Sequence, residues 1–197
     1  MSLQKVSLLF LIFLLFSEAV DAKIVLGSRR NDVHGVYVMD DDGSNQTLLV
    51  EEGERWHPFP DRWSPDGKKI LFKNRFGQFL MNPDGTNFQK LNTPNGRIGA
   101  MSFSPDSKSI VFNMIVNIDI KEIKTVNVFH IETGEVKKIA DVVASTCDWA
   151  PDGKHIVFAE QGVVGGVGGT LWIMGSDGHN PRKPLKPPIL GRFKDPR

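Results

Sequence analysis

Trp63-Ser64-Pro65-Asp66-Gly67-Lys68-Lys69-Ile70-Leu71-Phe72 is the stretch that decides the fold, because the chain repeats it. Phe103-Ser104-Pro105-Asp106-Ser107 leads into Ser109-Ile110-Val111-Phe112, and Trp149-Ala150-Pro151-Asp152-Gly153 leads into His155-Ile156-Val157-Phe158. A fourth copy of the apolar run, Lys23-Ile24-Val25-Leu26, lacks a Pro-Asp element before it. Pro65, Pro105 and Pro151 recur at a period of about 40–45 residues, the length of one four-stranded propeller blade.

The residues explain the pattern chemically. Proline presets φ for the second position of a turn and glycine accepts the backbone that follows, so Ser-Pro-Asp-Gly predicts a tight turn. Ile-x-Phe is β-branched and aromatic, as suits a strand buried on both faces. A second landmark lies inside each period. Tyr37-Val38-Met39 precedes Asp42-Gly43-Ser44-Asn45, Phe79-Leu80-Met81 precedes Asp84-Gly85-Thr86-Asn87, and Leu171-Trp172-Ile173-Met174 precedes Asp177-Gly178-His179-Asn180. Asp-Gly marks a hairpin. Outer strands are then expected at Gln46–Leu49, Phe88–Leu91, Val136–Ile139 and Pro181–Pro184. The third period departs, reading Val126-Asn127-Val128-Phe129 and Glu132-Thr133-Gly134-Glu135. The expected fold is all-β: a β-propeller of about four blades, each a four-stranded antiparallel repeat, with its ring open to being incomplete. One sheet alone cannot hide two apolar faces, so the repeats must stack.

The unit aromatic-Ser-Pro-Asp-Gly-Lys-x-Ile-x-Phe followed by Tyr-Val-Met-x-x-Asp-Gly-x-Asn resembles the WD40-like repeat of the TolB family. The resemblance runs from Lys23 to about Pro184. It implies a propeller with a central channel, often periplasmic, that binds proteins or peptides, and it implies no catalytic residue. TolB itself carries an α/β domain ahead of its propeller, whereas only a leader is expected ahead of Lys23 here. Prolyl oligopeptidase and tricorn propellers share similar repeats but add a hydrolase domain, for which 197 residues leave no room. An accessory or truncated propeller of such a hydrolase is the alternative, together with a propeller enzyme whose site is unrecognised.

Residues 1–22 read as a signal peptide. Lys5 supplies the positive start, Leu8 to Phe16 an apolar core, and Val20-Asp21-Ala22 a small-residue cleavage site. That core falls well short of the ~20 residues that span a bilayer. The mature chain is therefore expected to be periplasmic or secreted, without stable membrane insertion. Residues 23–188 form the propeller, and residues 189–197 a basic, proline-containing tail. The 24 Lys and Arg nearly balance 23 Asp and Glu, for a net charge of +1. A nucleic-acid binder would show a basic excess, so none is expected as partner. One cysteine, Cys147, rules out an internal disulfide and reads as a small buried hydrophobe.

No Gly-x-Ser-x-Gly elbow and no His-Glu-x-x-His helix occurs, so no catalytic residue and no cofactor is expected. His34, His57, His130, His155 and His179 fall at different registers of the repeat. Asp40-Asp41-Asp42-Gly43 with Asn45 has oxygens for calcium, but it lacks a distal glutamate, and its parallels at Asp84-Gly85 and Asp177-Gly178 favour a hairpin turn. The glycine-rich run Gly162–Gly169 lacks the Gly-Lys-Ser/Thr of a phosphate loop and reads as a hairpin loop. The expected function is non-catalytic binding of a protein or peptide ligand, with Trp56, His57, Phe59 and Arg62 placed near the channel or an interface. If the ring is incomplete, its free edges favour a homodimer. Alternatively, Ile189-Leu190-Gly191-Arg192-Phe193 supplies the inner strand that blade 1 lacks. Deleting the residues after Pro188 then lowers the melting temperature; an unchanged thermal transition rejects that closure.

Overall fold

A computed structural model describes residues 23–30, 32–51, 59–74, 76–119, 121–160 and 170–183. The leader, the stretch holding Trp56 and His57, the glycine-rich run and the tail lie outside the described residues. Blade 1 comprises β1 (Lys23–Arg30), β2 (Val33–Asp40) and β3 (Thr47–Glu51). Blade 2 comprises β4 (Phe59–Trp63), β5 (Ile70–Asn74), β6 (Gly77–Met81) and β7 (Gln89–Lys90). Blade 3 comprises β8 (Arg97–Phe103), β9 (Ser109–Ile118), β10 (Lys121–His130) and β11 (Val136–Asp141). Blade 4 comprises β12 (Ala144–Trp149), β13 (His155–Glu160) and β14 (Leu171–Gly175). Every pairing is antiparallel between sequence neighbours, so the blades are meanders. The expected outer strand of blade 4 is reduced to one bridge, Ile173 to Arg182, where flanking prolines withhold N–H groups. Among the described residues no helix is long and apolar enough to cross a membrane.

The Ser-Pro-Asp turn is held by its own side chains. Ser64 Oγ donates to Asp66 Oδ1 at 2.7 Å and accepts the Lys69 N–H at 2.8 Å, while Asp66 Oδ1 accepts the Lys68 N–H. Ser104, Asp106, Lys108 and Ser109 repeat the arrangement. In blade 4 Ala150 has no hydroxyl. There Asp152 takes the N–H groups of Lys154 and His155 instead, and its second oxygen meets His155 Nδ1 at 2.7 Å. The Asp-Gly-x-Asn hairpins need two left-handed residues each: φ is 83°, 81° and 89° at Gly43, Gly85 and Gly178, and 49°, 51° and 54° at Asn45, Asn87 and Asn180. Glycine adopts that region freely, and asparagine more readily than other side chains do.

Apolar clusters weld the blades. Ile70 and Phe72 face Val36 and Val38 of blade 1; Ile110 and Phe112 face Leu71 and Leu80 of blade 2; Ile156 and Phe158 face Val111, Val126 and Val128 of blade 3. The Ile and Phe of each Ile-x-Phe run thus face the preceding blade. The central residue (Leu71 or Val111) faces the following one. Asn113 adds a polar tie, its Nδ2 donating to the carbonyls of Ala144 and Ser145 at 3.2 and 3.4 Å. Cys147 is buried in the blade 3–4 cluster, and burial, reinforced by the neighbouring Asp148 charge, pushes its thiol up to about 12.

Hairpin turns also press on the preceding blade. A Cβ at Gly85 would meet the Leu49 carbonyl oxygen at 3.1 Å, and one at Gly178 would overlap the Ile139 carbonyl, whereas Gly43 faces open space. Alanine at Gly43 or at Gly178 incurs the same left-handed penalty, about 1–2 kcal/mol, but only Gly178→Ala adds the clash. Gly178→Ala is expected to melt well below Gly43→Ala in differential scanning calorimetry; equal transitions would show that the turn does not press on β11.

The turn carboxylates also set the acid stability. The Ser64 hydroxyl holds Asp66 below its ordinary value, and the Ser104 hydroxyl does the same for Asp106. Carboxyls whose folded pKa is depressed contribute stability that is complete above the unfolded value, about 3.9, and lost as pH falls through the folded one. The melting temperature should therefore drop as pH falls below about 4, and the Asp66→Asn/Asp106→Asn double variant should show a shallower drop by circular dichroism.

Candidate functional site

The inner strands β4, β8 and β12 bring together three residues that occupy one position of the repeat, immediately before the aromatic: Arg62, Ser102 and Asp148. Ser102 Oγ donates a short hydrogen bond to Asp148 Oδ1, joining blades 3 and 4. Arg62 Nη1 lies 3.9 Å from the same oxygen, so a guanidinium from blade 2 reaches a carboxylate of blade 4 past the inner strand of blade 3. That reach places the three on the inner-strand side of the blades, where a propeller has its channel. Asp61 Oδ1 is 4.0 Å from Arg62 Nε, and Nε is buried without a hydrogen bond. The Arg62 and Asp148 side chains remain 40% and 64% accessible, leaving guanidinium and carboxylate faces for a ligand. Ser102 is buried.

Each inner strand carries a β-bulge just ahead of this position, at Pro60/Arg62, Ile98/Met101 and Ala144/Thr146. A bulge increases twist and re-aims side chains, which helps three equivalent residues converge. The cluster lies near the Pro-Asp end of the channel, where the turns also touch: the Asp66 N–H donates to Ser107 Oγ at 3.0 Å, blade 2 to blade 3.

Beside the channel, between the Pro-Asp turns of blades 3 and 4, a cleft of about 320 Å³ is lined by Ser104, Asp106, Ser109, Trp149 and Asp152. Ser109 Oγ lies 3.0 Å from His130 Nδ1. The Trp149 indole nitrogen is buried without a partner in the protein. The cleft wall thus holds two carboxylates and one hydroxyl, Ser109, that meets an imidazole beside the cleft. In sequence the histidines fall at different registers of the repeat, so nothing there marks this pair.

Of the four residues expected near the channel, Arg62 stands in the cluster and Phe59 begins the inner strand β4. Trp56 and His57 lie outside the described residues. Ser102 and Asp148 are not among the residues that the sequence analysis places near the channel. The signal was present, because each directly precedes the aromatic of a Pro-Asp copy. The Asp40 hairpin has the partners of a turn: Asp40 meets Lys23 Nζ and Asn45 Nδ2, each at 2.6 Å, and Asp42 Oδ1 accepts the Ser44 N–H. The Lys23 ammonium takes Asp40 Oδ1, while Asp40 Oδ2 and Asp42 Oδ1 accept from Asn45 and Ser44 within the turn. Among the described residues no group of three or more His, Cys, Asp or Glu is placed to hold a metal ion.

No protein-family model matches the sequence. Solved structures do match. Putative TolB from Agrobacterium tumefaciens superposes with a TM-score of 0.63 at 20% identity, over 82% of this chain and 60% of that one. TolB from Acinetobacter baumannii gives 0.61 at 20%, over 82% and 40%. Oligogalacturonate lyase from Vibrio parahaemolyticus gives 0.68 at 17%, over 82% and 48%. The chain thus spans between two fifths and three fifths of these relatives' length, and its fold is that of the TolB-like β-propellers.

Proposed function

We propose that the chain is an exported, non-catalytic propeller scaffold that binds a protein or peptide partner at the Pro-Asp end of its channel. The observation that carries this reading is the Arg62–Ser102–Asp148 cluster. Repeat-equivalent positions of a symmetric fold hold three different polar groups, two of them charged and accessible. A guanidinium and a carboxylate side by side suit the backbone and termini of a peptide, since Arg pairs with carboxylates through a planar fork. Export rests on the leader at residues 1–22, and likeness of fold to TolB supports both export and partner binding. Nucleic acid fits poorly with a net charge of +1.

A second reading, a propeller enzyme or a propeller belonging to a hydrolase, is favoured by one observation, the Ser109–His130 pair beside the cleft. The fold is also that of an oligogalacturonate lyase. For nucleophilic catalysis a serine needs a base that a third group orients and donors for an oxyanion. Among the described contacts His130 Nδ1 meets only the serine.

The test is a pull-down with the exported chain from its own extracellular or periplasmic extract, read by mass spectrometry beside the Arg62→Ser/Asp148→Ser variant. One partner enriched by the unaltered chain, and weakened about tenfold or more in affinity by the double variant, as loss of a binding hot spot produces, is expected. Equal capture by both proteins would remove the cluster from the site. Turnover of ester or peptide substrates that His130→Ala abolishes would establish the enzyme instead.

A further inference from the structure

We propose that Asn95 is a site of spontaneous deamidation, its side-chain amide converted through a ring with the Gly96 nitrogen to aspartate and isoaspartate at the root of inner strand β8. Such a reaction needs an exposed amide, a successor whose missing Cβ lets its nitrogen approach, and an N–H that no turn holds. Asn95 alone among the asparagines of the sequence precedes a glycine. Asn95 and Gly96 are both exposed, in a bend between Pro94 and β8. Among the described residues neither the Asn95 amide nor the Gly96 N–H makes a hydrogen bond.

Five Asp-Gly pairs could cyclise in the same way, and the fold closes them to it. Gly43, Gly67, Gly85, Gly153 and Gly178 each donate their N–H across the turn, at 2.9–3.0 Å. In every one the aspartate Oδ1 accepts the N–H of the residue after the glycine: Ser44, Lys68, Thr86, Lys154 or His179. Carboxyl and nitrogen are thus both engaged. An ionised carboxylate is also a poorer target for a nucleophile than an amide.

The step balances without an enzyme or an oxidant. Hydroxide takes the Gly96 N–H proton, the nitrogen attacks Asn95 Cγ, and ammonia leaves as a cyclic imide closes. Water then opens either carbonyl. One opening restores the main chain with an aspartate, and the other routes the chain through the former side chain as isoaspartate. Isoaspartate adds a methylene to the backbone immediately before Gly96, where space is short: a Cβ on Gly96 would come to 3.0 Å from the Ile115 carbonyl oxygen and from Met114 Cγ. The strand begins at the next residue, with Arg97 opposite Ile115 and Ile98 opposite Met114, and Met114 is buried in the cluster that joins blades 2 and 3. The isoaspartate form therefore strains that pairing, whereas the aspartate form only adds a negative charge.

The full chain, processed by its host, is incubated in mildly alkaline buffer, folded and in urea, and digested with trypsin. The peptide ending at Arg97 is read by mass spectrometry with electron-transfer fragmentation. In the folded chain it is expected to split into two species, heavier by the exchange of NH2 for OH, at a rate within severalfold of that in urea. Peptides holding the Asp-Gly pairs should isomerise in urea only. Asn95→Gln, whose longer side chain closes a ring far more slowly, should lose both products. The aged chain should melt below the fresh one, and freshly made Asn95→Asp should not, since it carries the charge without the methylene. An Asn95 that converts in urea but stays intact in the folded chain would overturn the site. Asp-Gly pairs that isomerise equally in both states would overturn the protection by the turns, and an aged chain that melts like the fresh one would overturn the strain at β8.

Discussion

Everything in this molecule depends on a sheet having two faces and a blade being able to cover neither. Ile70 and Phe72 leave water only because Val36 and Val38 stand opposite, and Ile110 and Phe112 only because Leu71 and Leu80 do. Each fully buried side chain of this size contributes about 1.5–3 kcal/mol, against a conformational cost that spans every ordered residue. Stability is thus a property of interfaces between repeats, and turns serve to present each strand at the right angle. The turn chemistry tolerates substitution where a replacement bond exists. Blade 4 lacks the serine hydroxyl and engages His155 instead.

That dependence explains what the sequence shows and what it conceals. Ser-Pro-Asp-Gly, Ile-x-Phe and Asp-Gly-x-Asn are visible because each solves a local problem the same way every time: a preset φ, a two-sided burial, a pair of left-handed residues. Hence the strands fall where the pattern places them, down to the weak fourth strand at Arg182. The Arg62–Ser102–Asp148 cluster is concealed by the same logic. Its members differ in chemistry, so a search for recurrence treats their position as variable. Their convergence depends on the curvature of the assembled arc, which no local pattern encodes. The Ser109–His130 contact is hidden similarly, since it joins the start of one strand to the end of the next across a hairpin.

The β9–β10 hairpin gives the channel a direction. At ten residues per strand it is twice as long as β5 and β6, and β9 runs four residues further past its isoleucine than β5 does, a step of about 13 Å at the rise of a strand. It rises at the end away from the Pro-Asp turns. On that side the hairpin overtops blade 2, and nearly the whole depth of the inner strands separates it from the Arg62–Ser102–Asp148 cluster, which lies beside the Pro-Asp turns. The two ends of the inner strands are thus inequivalent: a tall hairpin stands by one, and a guanidinium and a carboxylate lie by the other.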